Sequence, residues 1–303
     1  MKNKIVLIGC GNVGMAYAYS LINQRTSVTE LALIDLDVER VRGEVLDLNH
    51  CNQFADTKMK VKVGEYKDCR DARIVVICAG SNQNVGETRM DLISKNSKIF
   101  KSIVSNVMEN GFDGIFLVAT NPLDVMTHLT LKYSNLPFHR VIGSGTTLDT
   151  ARLRYILSEK VGICTNNIEA YVIGEHGDSE FVPWSNASIA LKGIRDFLTE
   201  EEMVQIEEEV RNSAYEIINK KGATAYGIGI CLTSITNAIL EDKNIVLTVS
   251  SYDMDAEICI STPAVVNQDG VREKLFVPLS HQEEEKLLYS IQTIKNAIST
   301  LDM

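Results

Sequence analysis

The chain has 303 residues, 45% of them hydrophobic and 23% charged, which suits one large or two ordinary globular domains with substantial cores. Its net charge of −10 disfavours a nucleic-acid partner, because phosphate binding needs clustered Lys and Arg. No apolar run is long enough for a signal peptide or a membrane span, and the seven cysteines lack metal-ligand spacing. The sequence therefore predicts a cytoplasmic protein with reduced cysteines, no bound metal, and neither a membrane nor a nucleic-acid partner.

Short β-branched runs alternate with amphipathic segments through the first half of the chain. The predicted strands are Ile5–Ile8, Leu31–Ile34, Ile74–Ile77 and Ile115–Val118. The predicted helices lie near Val13–Asn23, Val38–Leu48 and Met90–Asn110. This alternation is typical of a parallel sheet with crossover helices. We therefore predict an α/β fold that begins with a Rossmann-type, doubly wound NAD-binding domain over residues 1–143.

The pattern changes in the second half, where long helices are separated from strands. The predicted helices are Ser144–Ser158, Glu200–Lys220 and one after Ser280. The predicted strands are Ile245–Val249, Glu257–Ser261 and Val265–Val266. Two of the helix starts have capping-box spacing, and the Glu-rich run 200–209 is interpreted as a solvated helix face. These features predict an α+β substrate domain over residues 144–303.

A glycine-rich turn joins the first predicted strand to the first predicted helix. Gly9, Gly11 and Gly14 allow a tight turn and a close approach of the backbone to a pyrophosphate at the helix N-terminus. Asp35 lies twenty-one positions after Gly14, where its carboxylate can accept hydrogen bonds from the adenosine ribose and repel a 2′-phosphate. The motif predicts NAD rather than NADP, and Arg40 nearby weakens that preference. The alternative is a glycine-rich turn with an unrelated acid downstream.

The polar residues Asp149, Arg152 and His176 suggest a site for a small organic acid. Asp149 and Arg152 are three positions apart, so they share one face if this segment is helical. Arg152 can then bind a carboxylate with two parallel hydrogen bonds, while Asp149 can hold the imidazole of His176 in one tautomer and favour its charged form. The alternative is an ordinary helix ion pair beside an unrelated surface histidine.

The order of the remaining motifs completes the pattern. Residues 78–89 leave a strand, pass through small and polar residues and enter a helix, as expected for a lid tipped by Arg89. Asn121 and Pro122 end another strand, and Thr224 precedes a later helix. Taken together, essentially the whole chain resembles the NAD-dependent L-lactate/malate dehydrogenase family and is most similar to its bacterial L-lactate dehydrogenase branch.

The resemblance implies a role for each polar residue of the site. His176 would be the proton donor and acceptor, Asp149 its orienting partner, Arg152 the carboxylate anchor and Arg89 the lid residue that polarises the carbonyl. The reaction implied is reversible hydride transfer between NADH and a small 2-oxo acid. The resemblance also implies a homotetramer or homodimer.

Further contacts are implied for the cofactor and the substrate. Asn121 would place both the substrate and the nicotinamide, and Thr224 would line the pocket. The other cofactor contacts implied are Asn12, Val13, Arg40, Tyr66, Gly80, Ser81 and Ser102.

Gln83 occupies the position that separates substrates within the family. Malate dehydrogenases are expected to carry Arg there to pair the second carboxylate of oxaloacetate, whereas a neutral Gln leaves that charge unmatched. This departure favours pyruvate as the substrate. The alternatives are a dehydrogenase for longer 2-oxo acids such as 2-oxoisocaproate, a malate dehydrogenase, and a non-catalytic NAD sensor. An NAD-dependent glycosidase would need a metal, for which the sequence shows no Cys/His ligand set.

The sequence departs from the family at two further places. Asn84 and Val85 stand where the lactate branch often has Lys and Pro, which leaves the stiffness of the lid open. Arg154 matches a basic residue of the fructose 1,6-bisphosphate site of many bacterial members, but Glu169 stands where they have His. Because a carboxylate repels a bisphosphate, we expect little activation by that sugar.

Overall fold

The computed structural model describes residues 3–56, 58–81 and 89–301 of the chain. Its strands are β1 (Lys4–Ile8), β2 (Glu30–Ile34), β3 (Lys60–Val63), β4 (Ile74–Ile77), β5 (Ile115–Val118), β6 (Val141–Gly143), β7 (Ile168–Glu169), β8 (Ser188–Ile189), β9 (Lys192–Gly193), β10 (Ile245–Asp253), β11 (Ile258–Asn267) and β12 (Gly270–Lys274). Its helices are α1 (Asn12–Asn23), α2 (Val38–Cys51), α3 (Arg89–Glu109), α4 (Leu123–Ser134), α5 (Thr147–Val161), α6 (Glu200–Lys221), α7 (Tyr226–Leu240) and α8 (His281–Ser299).

One sheet of nine strands runs through both halves of the chain, in the order β12-β11-β10-β6-β5-β4-β1-β2-β3. The six strands from β3 to β6 are parallel and have the doubly wound order of a Rossmann fold. β10 joins β6 in the antiparallel sense, where Ser250 pairs with Gly143, and β11 and β12 continue the sheet. The carboxyl ends of the parallel strands therefore face elements supplied by the second half of the chain.

Alternation along the strands produces a core on each face of this sheet. Ile5 and Leu7 of β1 join one core, while Val6 and Ile8 join the other. Helices α1, α2 and α7 cover the first face, and α3, α4 and α8 cover the second. Because both faces are buried, β1, β4 and β5 consist entirely of buried residues. A third core lies between α5, α6 and the small sheet β7-β8-β9.

Most of the predicted elements are confirmed. The four strands predicted in the first half correspond to β1, β2, β4 and β5, and both capping boxes are present at Thr199 and Ser280. The prediction of separate strands at Glu257–Ser261 and Val265–Val266 is wrong, because β11 continues through Pro263, which pairs with Thr248. The helix predicted from Ser144 begins at Thr147 instead.

The sequence pattern missed helix α4 and the strands β3, β6, β7, β8, β9 and β12. β3 carries two lysines and β6 has only three residues, so neither shows the four-residue apolar run by which β4 and β5 are recognised. Helix α4 is buried along most of its length, so it lacks the polar face by which a surface helix is recognised. This helix matters for the site because it begins directly after Asn121 and Pro122.

Candidate active site

The glycine-rich loop lies at the carboxyl end of β1 and opens into α1. Gly9 has a φ of +100°, and a Cβ there would lie 2.3 Å from the backbone nitrogen of Ala79. A Cβ on Gly14 would lie 2.0 Å from the carbonyl oxygen of Gly9, whereas one on Gly11 would meet nothing within 4 Å. The first and third glycines thus allow close packing, and the second leaves the backbone open where a pyrophosphate would approach. The loop fits the cofactor that the sequence predicts.

Asp35 follows β2 and lies next to this loop. Its Oδ2 accepts a hydrogen bond of 2.7 Å from the backbone N–H of Cys10, so the carboxylate is fixed relative to the glycines. Gly11, Asn12 and Arg40 line a cavity of about 660 Å³ on one side of α1. Arg40 is exposed, and its Nε lies 3.6 Å from Oε1 of Glu44. The glycine loop, Asp35 and Arg40 are therefore grouped as the sequence predicts.

A second cavity, of about 640 Å³, lies where β4 and β5 end. Of the predicted cofactor contacts, Val13, Gly80, Ser81 and Asn121 line it. Tyr66 instead packs half-buried against the hydrophobic core, and Ser102 is exposed on α3. The structure does not bring these last two to the cavity, so their cofactor roles stay predictions.

Asn96 hydrogen-bonds to both loops that follow β4 and β5 at this cavity. The sequence analysis did not single it out. It is fully buried on α3, its Oδ1 accepts the backbone N–H of Ser81 at 2.8 Å, and its Nδ2 donates to the carbonyl oxygen of Asn121 at 2.9 Å. A lone Asn inside an amphipathic helix gives no sequence signal of such a bridge.

His176, Asp149 and Arg152 meet on the opposite wall of the same cavity. Nδ1 of His176 lies 2.7 Å from Oδ2 of Asp149, and Nη1 of Arg152 donates to Oδ1 of Asp149 at 2.7 Å. Asp149 is 2% exposed and lies in the first turn of α5, with Arg152 one turn later. The alternative of an unrelated surface histidine is therefore wrong. Because Asp149 occupies Nδ1, the nitrogen left to exchange a proton is Nε2.

The charges around His176 favour the imidazolium. Burial alone would lower the pKa of His176, but the Coulombic attraction and hydrogen bond of Asp149, followed by Glu180, raise that pKa to about 9. Oε2 of Glu180 lies 4.0 Å from Nδ1 of His176, and this carboxyl is itself buried. Burial, followed by the charge of Asp149, holds the pKa of Glu180 well above its ordinary value. Glu180 was not singled out by the sequence, where it follows the His176 motif as one more acid.

Asp124 holds the backbone of His176 through a hydrogen bond. Its Oδ2 accepts the backbone N–H of His176 at 2.7 Å, and its Oδ1 accepts the hydroxyls of Ser250 at 2.6 Å and Ser261 at 3.0 Å. The sequence pattern did not mark Asp124 either. Its position three residues after Asn121, in a predicted strand-end motif, is the only signal that could have done so.

Asp149, His176 and Glu180 each offer a ligand atom, and these atoms lie within 4.8 Å of one another. Both oxygens of Asp149 are already hydrogen-bonded, one to His176 and the other to Arg152. A cation at this point would compete with the Arg152 guanidinium. We therefore interpret the group as a proton-donor site, and the expectation of no metal stays a prediction.

Three other predicted site residues are not placed in the cavity by the described part of the structure. Gln83 lies outside the described residues, as does the side chain of the lid residue Arg89. Thr224 is half-buried just before α7 and does not line the cavity as far as the chain is described. These roles stay predictions.

Helix α6 is less solvated than its Glu-rich sequence suggests. The side chain of Glu207 is 11% exposed, accepts the indole N–H of Trp184 at 3.1 Å and pairs with Arg211 at 3.2 Å. Arg211 in turn lines the cavity beside Glu180. The interpretation of the run 200–209 as a wholly solvated face is wrong at Glu207, because this residue lies on the inner side of the helix.

Arg154 and Glu169 lie together on the outer side of α5. Nη2 of Arg154 is 3.8 Å from Oε2 of Glu169, the same oxygen accepts the hydroxyl of Tyr171 at 2.8 Å, and the guanidinium lies over the Tyr171 ring. Arg154 also lines a cavity of about 270 Å³. The cation that would attract a sugar phosphate here already has an anionic neighbour.

Two family models cover nearly all of the chain. Residues 3–143 match the lactate/malate dehydrogenase NAD-binding domain, and residues 146–302 match the lactate/malate dehydrogenase alpha/beta C-terminal domain. The chain belongs to the lactate/malate dehydrogenase family. The resemblance found in the sequence is thereby confirmed.

Several relatives that match over nearly their full length are L-lactate dehydrogenases. An L-lactate dehydrogenase of Oceanobacillus iheyensis is 50% identical over 304 residues, covering 97% of this chain and 94% of that protein. Another, from Borrelia turicatae, is 46% identical over 312 residues and covers 99% of both chains. Among solved structures, the minor L-lactate dehydrogenase of Enterococcus mundtii in its ligands-bound form superposes with a TM-score of 0.97 at 40% identity, covering 100% of this chain and 99% of that one.

No helix in the described part of the chain combines the length and apolar character needed to cross a membrane. All seven cysteines are free thiols, and four of them are buried. Cys164 is exposed, and the reduced state of the cysteines stays a prediction.

Proposed function

We propose that the protein is an NAD-dependent L-lactate dehydrogenase that interconverts pyruvate and L-lactate in the cytoplasm. The observation that carries the proposal is the hydrogen-bonded group of His176, the buried Asp149 and Arg152, which faces the end of β5 across one cavity. Full-length relatives named L-lactate dehydrogenase support it.

His176 supplies and removes the proton. Asp149 binds Nδ1, so the imidazolium presents its Nε2 proton to the carbonyl oxygen of the 2-oxo acid. With a pKa of about 9, His176 is protonated at neutral pH and ready for reduction of the substrate. Oxidation of lactate requires the neutral imidazole, which becomes more populated as the pH rises.

Arg152 anchors the substrate carboxylate. Its described hydrogen bond uses only Nη1, which leaves the other N–H groups of the guanidinium for the two carboxylate oxygens. Because Asp149 fixes both Arg152 and His176, the carboxylate and the carbonyl of one substrate molecule are held in a fixed relation. Arg89 is proposed to polarise the carbonyl from the lid.

Bound NADH supplies the hydride. The glycine loop would hold its pyrophosphate, Asp35 its adenosine ribose, and Asn121 its nicotinamide together with the substrate. The open space at Gly11 and the fixed carboxylate of Asp35 support this arrangement.

The substrate assignment is tested at Gln83. We expect the wild type to prefer pyruvate over oxaloacetate, because burying an unpaired second carboxylate costs roughly several kcal/mol. Gln83→Arg supplies the missing cation, so the ratio of kcat/KM values should move toward oxaloacetate by about two orders of magnitude or more. The measurement is steady-state NADH oxidation with pyruvate, oxaloacetate and 2-oxoisocaproate.

The exposed Gln53 offers a matched control. Gln53→Arg adds the same charge away from the cavity and should leave the ratio unchanged. A wild type that prefers oxaloacetate, or a ratio that Gln83→Arg does not move, contradicts the pyruvate assignment. A preference for 2-oxoisocaproate would keep the mechanism and change the substrate.

The proposal includes a homodimer or homotetramer. Tyr19 of α1 and Tyr226 and Ile230 of α7 are each at least half exposed, and all three line the cavity of about 660 Å³ beside α1. This exposed apolar group supports a contact face between subunits there. Light scattering on the purified protein would test it, and a monomer would contradict it.

A further inference from the structure

Asp124 is a buried carboxylate for which the reaction described so far has no use. It is 1% exposed and lies in the first turn of α4. All three groups that contact it, the backbone N–H of His176 and the hydroxyls of Ser250 and Ser261, donate hydrogen bonds of 2.6 to 3.0 Å. An ionised carboxylate can only accept, so this set of partners suits the charged form.

The three hydrogen bonds connect parts of the chain that are far apart in sequence. Ser250 belongs to β10 and Ser261 to β11, while His176 lies in the loop that follows Gly174. Asp124 itself follows Asn121 by three residues. The carboxylate therefore ties the backbone of the proton donor to the segment that carries Asn121, and both to the rigid nine-stranded sheet.

A neutral amide or hydroxyl could also form such a tie, and burying a charge is costly. A charge at this position also has an electrostatic effect, because ionised Asp124 is among the groups that raise the pKa of His176. Burial raises the pKa of Asp124 above its ordinary value, and the three hydrogen-bond donors and the charge of His176 offset only part of that rise.

Asp124 is one of several groups around the imidazole. The charged and titratable residues next to His176 or in its cavity, within the described chain, come from five parts of the fold. They are Asp149 and Arg152 from α5, Glu175, Asp178 and Glu180 from its own loop, Arg211 and Tyr215 from α6, Asp124 from α4, and Cys78 after β4. Asp124 is the member of this set that also fixes the histidine backbone.

We propose that Asp124 is a positioning residue of the reaction, which fixes His176 relative to Asn121 and whose negative charge helps to keep the imidazole protonated. The inference rests on the proposed function. It predicts effects on proton transfer that a purely structural carboxylate would not have.

The variant Asp124→Asn separates charge from shape. The amide has the same size, can accept the His176 N–H through its oxygen, and can donate to the serine oxygens. We expect the alkaline limb of kcat/KM for pyruvate reduction to move to lower pH by about half a unit. At neutral pH, where His176 stays protonated, kcat and the dissociation constant of NADH should both stay within about twofold of the wild type.

Glu283→Gln is the matched control. Glu283 is also buried and also accepts hydrogen bonds from two serines, but at the start of α8. Its loss should lower the melting temperature and leave the pH profile in place. A wild-type pH profile in Asp124→Asn, with only a lower melting temperature, would overturn the proposed role of the charge.

A double variant keeps the test decisive should Asp124→Asn not fold. Ser250→Ala with Ser261→Ala keeps the charge and removes both donors to Oδ1, so the pH limb should stay while kcat falls about threefold or more. A wild-type kcat there would overturn the positioning role.

An NMR titration of the His176 ring distinguishes failure of this inference from failure of the proposed function, because it needs no substrate. A wrong substrate shows in the wild type, whereas a wrong role for Asp124 shows as an unchanged His176 titration in Asp124→Asn.

Discussion

The glycine-rich loop and the proton-donor site are built in opposite ways. The loop is one short stretch, residues 9–14, in which backbone shape makes the ligand surface and Asp35 adds one side chain. The proton-donor site takes a partly buried His176 from a loop and the buried carboxylates of Asp149 from α5 and Asp124 from α4. NADH binding should therefore tolerate substitutions of His176, Asp149 and Asp124, whereas proton transfer should depend on each of these three residues.

The largest effect should come from the proton donor itself. We expect His176→Ala to lower kcat by about 10²–10⁴-fold, because general acid catalysis is lost. NADH binding, measured by fluorescence titration, should stay close to wild type, since the glycine loop is untouched. His281→Ala, at an exposed position of α8, is the control and should change neither quantity. Near-wild-type turnover in His176→Ala would remove this residue from the mechanism.

An intermediate effect is expected at Asp35, on the cofactor side of the comparison. Asp35→Asn keeps an acceptor for the Cys10 N–H but removes the charge. NADH affinity should fall about tenfold, because a charge-assisted hydrogen bond contributes about 1.5–3 kcal/mol. The preference over NADPH should narrow as the repulsion of the 2′-phosphate disappears.

Asp37 allows the same substitution two residues later. Asp37→Asn removes an equal charge at the start of α2, where the side chain caps the N–H of Arg40. If both variants change the NADH to NADPH ratio equally, Asp35 does not set the preference.

The smallest effect concerns the pH profile and Glu180. Reduction needs the charged imidazole, so activity should be retained below a pKa of about 9 and lost above it. The ionised form of Glu180, with Oε2 4.0 Å from Nδ1 of His176, raises the pKa of His176, so Glu180→Gln should shift the alkaline limb to lower pH by at most about one unit. The pH dependence of kcat/KM for pyruvate measures this shift. Glu283→Gln serves again as the buried control, and an equal shift in both variants would exclude a local effect of Glu180.

The same contrast explains what the sequence could predict. The glycine loop and the Asp149–Arg152 pair depend on spacing within one turn or one helix, so local pattern was sufficient. The bond between His176 and Asp149 joins residues 27 positions apart. The residues alone left it open beside the alternative of an unrelated surface histidine, and the family resemblance favoured it. Asn96, Asp124 and Glu180 were missed because their roles come from contacts across the fold, and a buried polar residue has the same letters as an exposed one.

The prediction of secondary structure from the sequence is limited in the same way. β11 was predicted as two strands because Pro263 cannot donate to a neighbouring strand, yet the strand continues on both sides of it. The packing of β11 between β10 and β12 outweighs the local preference of one residue.

The pair of Arg154 and Glu169 has a metabolic consequence. Because Glu169 lies next to Arg154, the site attracts a sugar bisphosphate less strongly. We therefore expect this enzyme to be active without fructose 1,6-bisphosphate. Its rate would then follow the supply of its own reactants. With the proposed activity, NADH would be reoxidised whenever NADH and pyruvate are both present.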